Sequence, residues 1–274
     1  MIEIVEGCVD VKWAAINPGA TVYVGSLLSM DQSHLATIEG VIVRPVGAGV
    51  SNTTNKDAPL GVCIGTNRRE PVFSSTYLAD YITDEGTTGV RSSTTDYVGV
   101  EGPYGKGSKM AMAQVAMIGP GTILKAPLRG AAIGTLLTVG TSSAGNANGL
   151  TVTTGALQDS APVAGLSTIY CRSGLNAGQY RITSDTSATV HTWVREMLKT
   201  TATTGETYVK VPLRPFGTSY VTFGDGTACS FIDCTKTSAT HYDVIHVLEL
   251  NLEEAGKEFV KFRFDGDAFC TARA

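Results

Sequence analysis

The stretch Glu258-Phe259-Val260-Lys261-Phe262-Arg263-Phe264 alternates strictly between two kinds of position. The valine and the last two phenylalanines fall on one side of an extended chain, and the first phenylalanine, the lysine and the arginine fall on the other. A period of two residues is typical of a β-strand that buries one of its faces. The segment therefore predicts a half-buried strand, and a second strand is predicted just before it at Asp243–Asn251.

Similar short strands, separated by turns, are predicted at intervals of about ten residues, which is typical of all-β proteins. Turn dipeptides such as Asn148-Gly149 and Asp225-Gly226 suit hairpins. The composition agrees, because 31 Gly and 35 Thr in 274 residues favour turns and strands. Helical patterns are few, so we predict an all-β fold with long loops and very little helix. The other predicted strands are 20–24, 38–44, 60–64, 110–118, 135–139, 150–153, 179–183, 208–213 and 219–223.

A weak internal repeat relates two parts of the sequence. Pro18-Gly19-Ala20-Thr21-Val22 is echoed at Pro120-Gly121-Thr122-Ile123-Leu124, and Ala58-Pro59-Leu60-Gly61 is echoed at Ala161-Pro162-Val163-Ala164-Gly165. Echoes in a consistent order indicate similarly folded units, so we predict tandem small β-barrel or β-sandwich domains. One continuous sandwich with similar turns is the alternative. The predicted division is an N-terminal arm at residues 1–15, a β-barrel domain at 16–125, and a second β domain with a C-terminal strand extension at 126–274.

The charge and the cysteines argue against several classes of function. A net charge of -4 gives no electrostatic reason to expect nucleic-acid binding. No apolar run reaches the roughly 20 residues of a membrane span, and the first residues lack the basic and apolar regions of a secretory signal. We therefore expect a protein made in the cytoplasm that binds neither nucleic acid nor membrane. Its six cysteines are spread along the chain, so we expect them to be reduced and buried, while pairing after release from the cell stays open.

No group of residues in the sequence forms a convincing catalytic or metal site. His241 and His246 are five residues apart, which places them on opposite faces of a strand. Gly61-Val62-Cys63-Ile64-Gly65 has the spacing of a nucleophile elbow, but neither a helical pattern nor a general base accompanies it. The glycine-rich stretch 102–109 lacks phosphate-loop spacing, and Asp265-Gly266-Asp267 is more typical of a turn than of a calcium loop. We predict no enzyme, no cofactor and no metal ion.

One resemblance points to a function. The stretch 18–25, Pro-Gly-Ala-Thr-Val-Tyr-Val-Gly, which leads to Ala58-Pro59-Leu60-Gly61-Val62, resembles the small β-barrel head decoration proteins of tailed bacteriophages. The similarity covers mainly residues 10–125 and, more faintly, 120–220. The resemblance implies a structural virion protein, a cement protein that binds the outside of a phage head and stabilises the junctions between capsomers. Its implied partner is the major capsid protein, its implied location is the capsid exterior, and a homo-oligomer is expected, with a trimer favoured.

Under this hypothesis, residues 1–13 would reach a neighbouring capsid subunit by strand pairing, with Trp13 as an apolar anchor. The candidate contact residues are Ile2, Ile4, Val5, Val9, Val11 and Trp13. Three other functions stay open at this point. They are another phage structural protein of the tail, baseplate or fibre; a carbohydrate-binding β module, which needs exposed aromatic residues on one face; and a depolymerase, which needs paired carboxylates in a groove.

Overall fold

The computed structural model describes most of the chain, in segments, and it divides the chain into two compact units. The first unit is Met1–Leu124, Phe223–Phe231 and Phe264–Ala274, and the second is Lys125–Thr222 and Ile232–Arg263. The described residues are 1–7, 9–16, 22–30, 42–46, 58–66, 101–102, 105–109, 112–130, 132, 134–146, 149–154, 167–174, 176–187, 190–193, 206–224, 229–235 and 243–266.

The first unit contains a closed barrel of five strands. The strands of the whole first unit are β1 (Glu3–Glu6), β2 (Val11–Ile16), β3 (Leu27–Met30), β4 (Ile42–Pro45), β5 (Pro59–Thr66), β6 (Glu101–Gly102), β7 (Gly105–Lys109) and β8 (Met112–Met117). Five of these strands form the barrel in the order β2-β4-β3-β5-β8, and the pairing of β8 with β2 closes it. The strand β2 runs parallel to β4 and antiparallel to β8. β6 and β7 form a separate two-stranded hairpin.

Small and branched side chains fill the interior of the first barrel. On β2, Ala14 and Ile16 are buried, and they join Leu28, Val43 and Val115 in one apolar cluster. These residues come from four strands of the barrel, β2, β3, β4 and β8, and meet inside it. The core therefore closes only when β2 is in place as part of the barrel wall.

The second unit contains a closed barrel of six strands and part of an open sheet. Its strands are β9 (Ile123–Arg129, which begins at the end of the first unit), β10 (Gly140–Asn146), β11 (Gly149–Thr154), β12 (Thr168–Cys171), β13 (Gly178–Ser187), β14 (Val190–Trp193), β15 (Thr207–Val211), β16 (Gly217–Val221), β17 (Ile232–Asp233), β18 (Asp243–Asn251) and β19 (Phe259–Phe264). The barrel order is β10-β11-β14-β13-β12-β15. The open sheet runs β9-β19-β18-β16, and β17 pairs in parallel with β9.

The open sheet curls back on itself. The Asp233 amide at the end of β17 donates a hydrogen bond to the carbonyl of Thr222, which follows β16. Since β17 also pairs with β9, it connects β9 to the end of β16 within the second unit. The predicted alternation of 258–264 is confirmed, because Val260 and Phe262 of β19 are buried while Lys261 between them is only half-buried.

The prediction of an all-β fold is confirmed by the nineteen strands of the described residues. The strand predicted at 135–139 is wrong: the Thr135 amide closes a turn onto the Ala132 carbonyl, and β10 begins only at Gly140. The tandem repeat stays a prediction. The two barrels have five and six strands in different orders, and the stretches 17–21 and 155–166, which contain two of the four echoes, lie outside the described residues.

The two units and the predicted domains differ in two respects. The first unit ends at Leu124, next to the predicted boundary at 125, but it also takes in residues 1–15 and two later segments. The strand β2 accounts for the first difference, since its pairing with β8 and β4 makes it a barrel strand rather than part of a separate arm. A prediction based on chain order could not find the later segments, because strand pairing joins residues that are distant in sequence.

Candidate interaction surface

Exposed apolar side chains cluster near the start of the chain. Among the described residues, nine large hydrophobic side chains are exposed, and four of them lie in the first eleven residues. They are Met1, Val5, Val9 and Val11, and the three valines are 48%, 38% and 45% exposed. Grouped exposed apolar side chains mark interaction sites when they form a patch, so the start of the chain is a candidate interaction surface.

The barrel strands place further apolar groups beside Val11. Val11 and Trp13 share one side of β2, because they are two residues apart. Trp13 is paired with Gln114 of β8, which is paired in turn with Gly65 of β5. Ile64 occupies the irregularity between Cys63 and Gly65, and its side chain is exposed whereas Cys63 is buried. Val11, Trp13, Gln114 and Ile64 therefore lie on the outside of the barrel and form what we call the outer face.

The first two residues are fixed to the barrel. The amide of Ile2 donates a hydrogen bond to the carbonyl of Gly25 at 3.1 Å, and the Ile2 side chain is fully buried. Gly25 has a φ of 85°, and a Cβ at this position would collide with the side chain of Met1. Glycine is required at this position because other residues rarely adopt such a φ and because a side chain would have no room. The start of the chain is thus an ordered part of the first unit.

The six predicted contact residues separate into two groups. Ile2 is buried, and Ile4 and Trp13 are half-buried, so these three also contribute to the stability of the unit. Val5, Val9 and Val11 are exposed and available for contact. Sequence reasoning missed Ile64, although strand alternation would have placed it on the opposite side of β5 from the buried Cys63.

Charged residues neighbour the exposed valines in the sequence. Glu3 and Glu6 flank Val5 and are exposed. The Lys12 ammonium lies 3.2 Å from the Asp10 carboxylate, and both side chains are largely in solvent, where such a pair contributes little to stability. Exposed charged residues next to exposed apolar ones are the composition that the rim and centre of a protein–protein interface have.

The geometry argues against a nucleophilic role for Cys63. The segment 61–65 is a continuous part of β5 rather than a strand-turn-helix elbow. The Cys63 thiol is buried and donates to the carbonyl of Gly65 at 3.3 Å. Burial raises the pKa of this thiol to about 12, so it does not form the reactive thiolate near neutral pH. The other described cysteines, Cys171, Cys229 and Cys234, are also buried.

The remaining chemical patterns give no site in the described part of the chain. No three His, Cys, Asp or Glu side chains there come together as metal ligands. The stretch 102–109 contains the paired strands β6 and β7. His246 is paired with Thr218 in the β16–β18 ladder, whereas His241 and Asp267 lie outside the described residues. Within those residues, there is also no helix of the length and apolarity needed to cross a membrane.

The comparisons with known proteins give no match. No protein-family model matches the sequence, no curated protein matches it, and no solved structure matches the fold.

Proposed function

We propose that this protein is a structural virion protein that decorates the outer surface of a phage head and stabilises the junctions between capsomers. The observation that carries the proposal is that Val5, Val9, Val11 and Ile64 of the first unit are all exposed, and that Val11 and Ile64 lie on the outer face of the barrel. The sequence resemblance of residues 10–125 to head decoration proteins supplies the partner, which is the major capsid protein. A homo-oligomer, most simply a trimer, is part of the same proposal.

Modest contacts suffice for this function. A decoration protein binds the assembled shell and not its separated subunits, so binding shifts the equilibrium toward the assembled shell by mass action. Many copies act on one shell, and an oligomer engages several capsomers at once, which raises the effective affinity without new contacts. A small apolar surface on a rigid barrel meets these requirements, because little conformational freedom is lost on binding.

Calorimetry of phage heads tests the stabilising role. Undecorated shells built from the major capsid protein encoded with this chain are heated alone and with a saturating amount of the purified chain. We expect the shell transition to move to higher temperature, by an amount that grows with the concentration of free chain. An unchanged transition at saturating concentration contradicts the proposal.

One observation favours a second function, carbohydrate binding by the second unit. Phe216 is 80% exposed, and Tyr220, four residues further along the chain, is 47% exposed. Thr218 and Tyr220 lie on one side of β16, since Gly217 and Ser219 between and before them are buried, and Phe216 immediately precedes the strand in a turn with a φ of 53°. Exposed aromatic rings on one face are what a carbohydrate-binding module needs. Titration of the chain with soluble host-surface polysaccharide, and of Phe216→Ala in parallel, tests this function.

A further inference from the structure

The second unit contains a buried group of charges centred on Glu258. The Glu258 side chain is 1% exposed, and its Oε1 accepts a hydrogen bond of 2.5 Å from Nη2 of Arg172. Its Oε2 lies 3.8 Å from Nη1 of Arg129. Both arginine side chains are themselves mostly buried. We call Glu258, Arg129 and Arg172 the Glu258 cluster.

The same two arginines hold both ends of the turn between β18 and β19. The Nε of Arg172 donates to the carbonyl of Leu252 at 3.0 Å, and Nη2 of Arg129 donates to the carbonyl of Gly256 at 3.1 Å. The turn at 252–257 is therefore tied down at its beginning and near its end by guanidinium groups. The buried carboxylate of Glu258 carries one negative charge and therefore compensates only part of the positive charge of the two arginines.

The two arginines belong to different sheets of the second unit. Arg172 follows β12 of the six-stranded barrel, and its amide donates to the carbonyl of Thr207 at the start of β15. Arg129 ends β9 of the open sheet, and its carbonyl accepts from the amide of Cys234. Through Arg172, one side chain connects the end of the barrel to the β18–β19 turn by two hydrogen bonds.

We propose that the Glu258 cluster is a latch that couples the barrel end at residues 172–174 to the turn at 252–257, so that the two segments open together. The physical reason is the cost of an uncompensated buried charge. When one member of a buried ion pair is removed, the remaining charge draws in water or moves to the surface. Arg172 can reach solvent only by giving up its bonds to Leu252 and Glu258 at once, which removes the side chain that joins the two segments and loosens both of them.

Amide hydrogen exchange on the full chain tests the latch, with two variants of the same chemistry. Glu258→Gln removes the buried charge. Glu249→Gln removes the charge of the Glu249–Lys261 pair, which has a 2.6 Å contact but is partly exposed and lies on the same hairpin. We expect E258Q to accelerate exchange of 172–174 and of 252–257 by about tenfold or more in both segments. We expect E249Q to change neither segment by more than about twofold, since exposed pairs contribute little.

Two results overturn the latch. One is faster exchange in E258Q that is confined to only one of the two segments. The other is an equal effect of E258Q and E249Q. If E258Q fails to fold, Arg172→Lys serves instead, because it keeps the positive charge but cannot bridge Leu252 and Glu258 with a planar group. We expect a smaller but still joint acceleration in R172K, and an unchanged 252–257 segment there also overturns the proposal.

Discussion

Trp13 of β2 lies directly opposite Gln114 of β8, although the two residues are 101 positions apart in the sequence. This pairing makes the tryptophan part of the barrel wall. The surface that we propose for capsid contact is consequently offered by a folded unit, with Val5, Val9 and Val11 exposed on it. An ordered surface loses less conformational freedom on binding than a loose arm does. The predictions below separate the contact role of these residues from their structural role.

Changing the three exposed valines to threonine lowers affinity for phage shells without unfolding the chain. Threonine keeps the branched shape but adds a hydroxyl that is costly to bury, about 1 kcal/mol each. We expect the affinity of V5T/V9T/V11T to fall at least about tenfold in co-sedimentation, with an unfolding free energy within about 1 kcal/mol of the wild type. Val139→Thr is the matched control, because Val139 is 43% exposed but lies in the second unit. If V5T/V9T/V11T loses no more affinity for the shells than V139T does, the contact role of the three valines is contradicted.

Deleting residues 1–13 destabilises the first unit as well as removing the contact surface. The deletion takes away the buried Ile2 and half of β2. Burial of one such aliphatic side chain alone contributes about 1.5–3 kcal/mol, so we expect the unfolding free energy of this unit to fall by more than about 3 kcal/mol. Urea unfolding measures this loss of unfolding free energy, with far-ultraviolet circular dichroism as the signal because the deletion removes Trp13. An unchanged midpoint after the deletion contradicts the placement of β2 in the barrel.

Gly61 is required by the close packing of β5 against β8. A Cβ at Gly61 would collide with the carbonyl of Ala116 and the side chain of Val115. We expect Gly61→Ala to lower the unfolding free energy by about 1–3 kcal/mol, the usual cost of overpacking. Gly119→Ala is the control, since no atom lies within 4 Å of a Cβ there. Equal effects of the two substitutions in urea unfolding would show that β5 and β8 do not pack as described.

The stability of the chain falls at alkaline pH. Burial raises the pKa of Cys63 and of Cys171 to about 12, from 9.0 in an exposed thiol. The folded chain therefore keeps these two protons between pH 9 and pH 12, whereas the unfolded chain releases them. Stability is full below pH 9 and declines as pH rises, by up to about 1.4 kcal/mol per pH unit for each thiol.

Urea unfolding at pH 8, 9 and 10 measures this dependence, and Cys63→Ala identifies the contribution of one thiol. The slope above pH 9 becomes shallower in C63A, by up to about 1.4 kcal/mol per pH unit. A slope identical to that of the wild type would contradict the burial of the Cys63 thiol. In the folded chain at pH 8, we also expect neither Cys63 nor Cys171 to react with a thiol reagent until urea unfolds it.

Local alternation predicted part of the fold. It identified β18 to the residue and β19 to within one residue, because each carries its pattern in a few neighbouring positions. It did not identify β3 at Leu27–Met30, where the first three residues are all buried and no alternation exists. It also suggested a separate arm at 1–15, because a strand pattern does not say which distant strand completes the pair.

The interaction surface and the Glu258 cluster differ in how visible they are in the sequence. The alternation of Val9, Val11 and Trp13 could be read directly, and two of these three residues are exposed. Glu258 and Arg172 are 86 residues apart and belong to no motif. Only the path of β12 and of the β18–β19 turn brings them into contact, so no local signal could have predicted the pair.

Co-sedimentation with undecorated phage shells tests the central claim most directly, with the native mass of the free chain measured in parallel. The account predicts saturable binding at a fixed ratio to capsomers, by a chain that is a trimer or monomer in solution and does not form larger assemblies alone. Absence of binding, together with self-assembly of the chain into rings or tubes, contradicts the account and identifies a tail component instead.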